Sequence, residues 1–201
     1  MYRLDKDLRL YNNQADKLFD LQSNLGSIPP SYRKLIAEIT LLRISDLLQN
    51  SFESISCKVA CGATYLDGTN PMLIHRCSSM ANAISQMKIL NRQKPKPLLR
   101  WSKVSDMNRN SQHIIDRHDN VTIVLTNHGG LIDEIRRVRN RVAHNNRRSR
   151  LEFQIVVARH YGAQLNHITP GSMLLSPRFN PSLLDQLILK TKILIKALVK
   201  G

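Results

Sequence analysis

Between residues 136 and 150 the chain reads RRVRNRVAHNNRRSR, with seven arginines in fifteen positions, one histidine and no acid. Within this stretch Arg139, Asn140 and His144 are residue types that can act together on a phosphodiester. A guanidinium offers a fork of donors to non-bridging oxygens and holds them more tightly as negative charge builds in the transition state. Imidazole is the side chain whose unperturbed pKa lets it take and give a proton near neutrality. RNA supplies its own nucleophile in the 2′-hydroxyl, so this chemistry requires neither a metal nor a nucleophilic side chain.

The elements that must position these residues follow from periodicity. Leu131, Ile135, Val138 and Val142 recur at steps of 4, 3 and 4 and predict an amphipathic helix over 131–144. With that stripe facing the core, Asn140 and His144 share the solvent side one turn apart, and Arg139 lies about 140° round from His144 on an ideal helix. Asn145 and Asn146 suit a left-handed C-terminal cap, which puts His144 in the last turn. The angle predicts a homodimer, with Arg139 of one chain meeting His144 of another in a cleft built from both copies of 139–144. Leu184, Leu187, Ile188 and Leu189 of the final helix are candidates for its apolar interface. Asp133 and Glu134 stand three or four residues before Arg136, Arg137 and Val138, so part of the arginine cluster is expected to enter helix ion pairs.

Around this stretch the pattern is helical almost throughout. Helices are predicted over 2–25, over 31–63 with a broad apolar stripe, from Ser78 to about Asn91, over 103–117, over 150–161 ending at Gly162, and over 182–199. Residues 120–130 are left open between helix and strand, and 169–181 suggest an irregular excursion with a strand pair. The expected class is all-α. The Pro-rich basic stretch NRQKPKPLLRWSK (91–103) reads in two ways. Trp101 either stacks on a base while the lysines and arginines of the stretch hold phosphates, or anchors a surface connection to the core.

Thirty Lys and Arg against fifteen Asp and Glu give a formal charge of +15 and a pI near 10.2, which predicts a polyanionic partner, with nucleic acid first. No stretch approaches the ~18 apolar residues of a membrane span, and MYRLDKDLRLYNN lacks the apolar core of a signal peptide, so a cytoplasmic protein that does not engage membrane is expected. Cys57, Cys61, His75 and Cys77 are zinc-type ligands within 21 residues, but Cys57 and Cys61 sit one helical turn apart among apolar neighbours, the pattern of buried thiols. No metal and no cofactor is expected. His113, Asp116, His118 and Asp119, in HIIDRHD, form a second polar constellation, with poor same-face spacing.

RNRVAH (139–144) resembles the Arg-x4-His signature of the HEPN superfamily in its Arg-Asn-x3-His form, and the helical layout of residues 30–161 is similar to the HEPN bundle. The expected layout is a HEPN-like helical bundle over 1–161, and 162–201, which fall outside the resemblance, are expected as a C-terminal helical extension packed on the same domain. The resemblance implies a metal-independent endoribonuclease, a toxin or defence effector, with RNA as substrate and an antitoxin or sensor protein as partner. Arg139 and His144 would be catalytic and Asn140 would orient them. Arg136, Arg137, Arg141, Arg147, Arg148 and Arg150 would contact RNA by position and charge. Glu38 would be the auxiliary polar residue on an earlier helix. The alternative is a non-catalytic helical module whose basic face binds RNA or an acidic partner protein. Such a module needs the arginines, whereas His144 would then be an ordinary helix-end histidine.

Overall fold

The computed structural model describes residues 2–89 and 94–201. Asn91, the predicted end of one helix, and the start of the basic stretch at Asn91, Arg92 and Gln93 lie outside the described residues. The chain is all-α, with nine α-helices among the described residues: α1 (Asp5–Ser23), α2 (Pro30–Ala60), α3 (Met80–Ile89), α4 (Val104–Ser111), α5 (Asn120–Asn127), α6 (Gly129–Ala143), α7 (Arg147–Tyr161), α8 (Pro170–Leu174) and α9 (Leu183–Lys200). None of them is long and apolar enough to cross a membrane.

The long α2 is the axis of the molecule. Pro30 starts it at a position where the missing N–H is harmless, and buried Leu41, Ile44, Leu48, Phe52, Ile55 and Val59 carry it through the core. It packs against α1, α3, α6, α8 and α9. Its exit turn needs Gly62 at φ +83°, where a Cβ would in addition stand 2.8 Å from Arg76 Nε.

The open segment 120–130 resolves as helix because Asp119 caps it, accepting from Val121 N at 3.0 Å. The helix predicted over 103–117 stops at Ser111, and Ile115 forms an isolated bridge with Leu73. Residues 169–181 form no strand pair. Thr169 and Ser172 make a capping box around Pro170, and the result is the short helix α8.

Residues 162–201 share the hydrophobic core of the preceding helices. α9 packs against α1, α2 and α5 within one continuous core. Eight of its aliphatic side chains are buried. At ~1.5–3 kcal/mol each, their burial is a substantial part of what holds the core together. Leu184, Leu187 and Ile188 are among them, so the face proposed as a dimer interface lies inside the molecule and only Leu189 of that set is exposed.

Candidate phosphodiester site

Ile132, Ile135 and Val138 are buried and Leu131 and Val142 half-buried, so α6 rests on the core by the predicted stripe. The helix ends one residue early. His144 has φ −136° and ψ 115°, an extended conformation, while its N–H still donates to Asn140 O at 2.9 Å. Asn146 is not a left-handed cap of α6. It opens α7 instead, accepting from Ser149 N at 2.8 Å, and the new helix starts at Arg147, three residues before the position expected. Buried Ser149 fixes the junction, its hydroxyl donating to the carbonyl oxygens of His144 and Asn146. Residues 144–146 thus form a tight reversal that folds α7 back along α6.

This reversal creates an open cavity of about 550 Å³. Arg136, Arg139, Asn140 and His144 line one side, and Asn146, Arg148, Ser149 and Glu152 another. The segment before α4 closes it with Arg100, Ser102 and Lys103, joined by Asp106 from the first turn of α4. Buried Leu99 and Trp101 pin that segment to the core, and Asn110 Nδ2 donates to Arg100 O at 3.0 Å. Trp101 is 3% exposed, so it is the anchor and is not available to stack on a base.

Arg139, Asn140 and His144 therefore meet at one cavity of a single chain. The ideal-helix angle that predicted a cleft shared between two chains does not apply, because His144 has left the helix. The Nε of Arg139, like that of Arg137 outside the cavity, is buried with no hydrogen-bond partner among the described residues, and at Arg139 an acceptor entering the cavity would relieve a cost of about 1–3 kcal/mol.

The other candidates divide. Arg136 is 11% exposed at its side chain and committed to Asp133 at 3.2 Å and Glu152 at 2.9 Å, so it braces α6 against α7 and is not available to RNA. Arg148 is exposed and reaches Glu152 only at 3.3 Å. Burial by itself would raise the Glu152 carboxyl, but hydrogen bonds and charge from Arg136 and then Arg148 outweigh it and hold the group below its ordinary value. Arg147 and Arg150 are exposed on the first turn of α7 outside the cavity lining, Arg141 donates to Asn145 Oδ1 at 2.7 Å, and Arg137 is half-buried on α6. Three arginines in the first turn of a helix oppose its dipole, a cost that a bound polyanion removes.

Glu38 does not join the site. It accepts from Gly171 N at 2.8 Å and fastens α8 to α2, where a Cβ on Gly171 would stand 2.7 Å from Lys34 O. Arg100 and Lys103 belong to the basic stretch read as a phosphate-holding segment, whereas Asp106 carries no signal in the sequence. The basic, tryptophan-containing stretch was the available signal, but the anchoring role of Trp101 is what aims it.

The remaining clusters are structural. Asp119 is buried and accepts from Tyr65 Oη at 2.6 Å and Met72 N at 2.8 Å, in addition to Val121 N. Burial pushes the Cys57 thiol up to about 12 and raises Cys61 and Cys77. Among the described residues, no group of three or more His, Cys, Asp or Glu side chains is placed to hold a metal ion. No family model, curated protein or solved structure matches the chain.

Proposed function

We propose that the chain is an endoribonuclease of the HEPN type that cuts single-stranded RNA without a metal. The observation that carries the reading is the meeting of Arg139, Asn140 and His144 at one cation-lined cavity, with Arg139 Nε buried and unpartnered and His144 exposed. His144 takes the proton of the 2′-hydroxyl, and O2′ attacks the adjacent phosphorus. Arg139 neutralises charge on the non-bridging oxygens as the P–O5′ bond breaks, and the leaving O5′ takes a proton from water in the open cavity. The products are a 2′,3′-cyclic phosphate and a 5′-hydroxyl. Asn140, one turn before His144 on the same lining, donates to the substrate or to the imidazole.

The experiment is incubation of purified protein with single-stranded RNA in excess chelator, followed by analysis of product ends. Cleavage with cyclic or 3′-phosphate ends is expected, and activity lost to chelator and restored by magnesium would overturn the mechanism. A full residue set lines each cavity, so one chain is the proposed catalytic unit. Mixed Arg139→Ala and His144→Ala chains are expected to recover no activity, and recovery would point to a cleft shared by a homodimer. A module that only binds would hold RNA through Arg147, Arg148 and Arg150 and release it uncut.

A further inference from the structure

The cavity contains one carboxylate that is not accounted for. Glu152 is tied to Arg136 and Arg148. Asp106, in the first turn of α4, lines the same cavity as Arg100, Lys103, Arg139 and Arg148, and its half-buried side chain forms no ion pair or hydrogen bond among the described residues. The helix dipole favours an acid in that turn. It does not explain an unpaired acid on the wall of a cavity that admits a polyanion, where the carboxylate repels every phosphate that the arginines attract.

A ligand that suits both groups puts its phosphate on the arginines and hydrogen-bond donors on Asp106. In single-stranded RNA those donors are on the exposed base edges. Guanine alone among the four bases presents two adjacent N–H groups on its Watson–Crick edge, N1–H and the 2-amino group, which match the two oxygens of a carboxylate. Adenine and cytosine offer an amino group beside an acceptor, and uracil a single N–H between two acceptors. Resting on the ribonuclease reading above, we propose that Asp106 is a specificity-determining residue that selects guanine beside the phosphate held by Arg139. Arg100 and Lys103, on the same segment as Asp106, then hold the neighbouring phosphate of the strand.

The test uses deoxynucleotide strands containing one ribonucleotide, so that a single linkage can be cut, with guanine, adenine, cytosine, uracil or hypoxanthine placed on either side of its 3′-phosphate. Guanine on one side is expected to be cut about tenfold faster or more than the other three natural bases, the scale of a good two-point base contact. Hypoxanthine, which keeps N1–H and lacks the 2-amino group, should fall between, a comparison that needs no variant protein. Asp106→Asn should bring the guanine-to-adenine ratio close to one, with folding checked by thermal melting. The same strands titrated against His144→Ala protein read binding without cleavage. Equal rates for all bases in the unaltered protein, or a guanine preference that survives Asp106→Asn, overturn the role of Asp106 and leave the ribonuclease reading standing. Neither cleavage nor binding of any strand overturns both.

Discussion

Residues 113–119 and 139–148 are both dense in histidine, arginine and short polar side chains, and they end in opposite conditions. In the first, Asp119 is buried under three hydrogen bonds that join the 65–72 loop to α5, and Arg117 Nε donates to its neighbour His118 Nε2 at 3.0 Å. In the second, the backbone of His144 is fixed by Ser149 while its ring is left exposed, and Arg139 keeps a buried donor without a partner. One region uses its polar groups to hold the fold together. The other spends part of its polar groups on the α6–α7 turn and leaves Arg139 Nε and the His144 ring without a partner among the described residues. The contrast teaches that residue types nominate a site, and that the intramolecular partners decide whether it is one.

The largest expected effect sharpens this contrast at His144. His144→Ala should lower cleavage by about 10²–10⁴-fold, the range of a positioned acid or base, with an unchanged melting temperature because the ring is exposed. His118→Ala should leave the rate unaltered. An equal loss in His118→Ala would break the comparison. Next, Asp119→Ala removes a helix cap and leaves the Tyr65 hydroxyl buried without its acceptor, and should cost about 3 kcal/mol in urea denaturation. Cleavage per folded molecule should be unaltered.

Replacing Arg147, Arg148 and Arg150 together by glutamine should weaken RNA binding and leave residual cleavage, since Arg139 and His144 remain. The log–log salt dependence should flatten by somewhat under ~1 unit per lost phosphate contact on a single strand. An unchanged slope would mean that the strand runs along the Arg100 and Lys103 wall alone.

The smallest effect concerns Glu134 on α6, a third pattern, where a histidine is fully engaged. His160 Nε2 stands 2.8 Å from Glu134 Oε1, and the His160 ring meets Phe179 edge to face. Burial would raise the Glu134 carboxyl, but the hydrogen bond and charge of His160, with those of Arg159, hold it below its ordinary value. A depressed carboxyl contributes stability above its unfolded pKa, near ~4.3, and that contribution is lost as pH falls through the lower folded value. Glu134→Gln should therefore cost about 1 kcal/mol at neutral pH and flatten the acid limb of a stability profile.

The sequence revealed the helices well where apolar spacing was regular, as in α2, α6 and α9. It failed at the junctions. His144 was placed in a last helical turn because spacing cannot show that Asn146 and Ser149 bind each other and begin a new helix. The expected shared cleft rests on the same spacing, a wheel angle that holds only while His144 is on the helix. The pairing of Arg136 with Asp133 was legible because both lie on one helix. Its stronger bond to Glu152 was not, because it crosses from α6 to α7. Glu38 was nominated by residue type, and Gly171, its partner 133 residues away, could not be seen from either. What α9 covers is equally beyond spacing, since its apolar face reads alike whether it meets its own core or another molecule.

That placement of α9 has a consequence for how the protein is made. Lys192 of α9 reaches Asp16 of α1 across 176 residues, and buried Tyr11 and Thr191 belong to the same two packed helices. At ~5–20 residues per second, a ribosome needs roughly ten to thirty seconds to supply α9 after α1 has emerged. Throughout that interval the apolar faces of α1 and α2 lack the helix that covers them. A nascent chain already long enough to contain the whole arginine stretch therefore carries that positive charge while apolar surface on α1 and α2 is still uncovered.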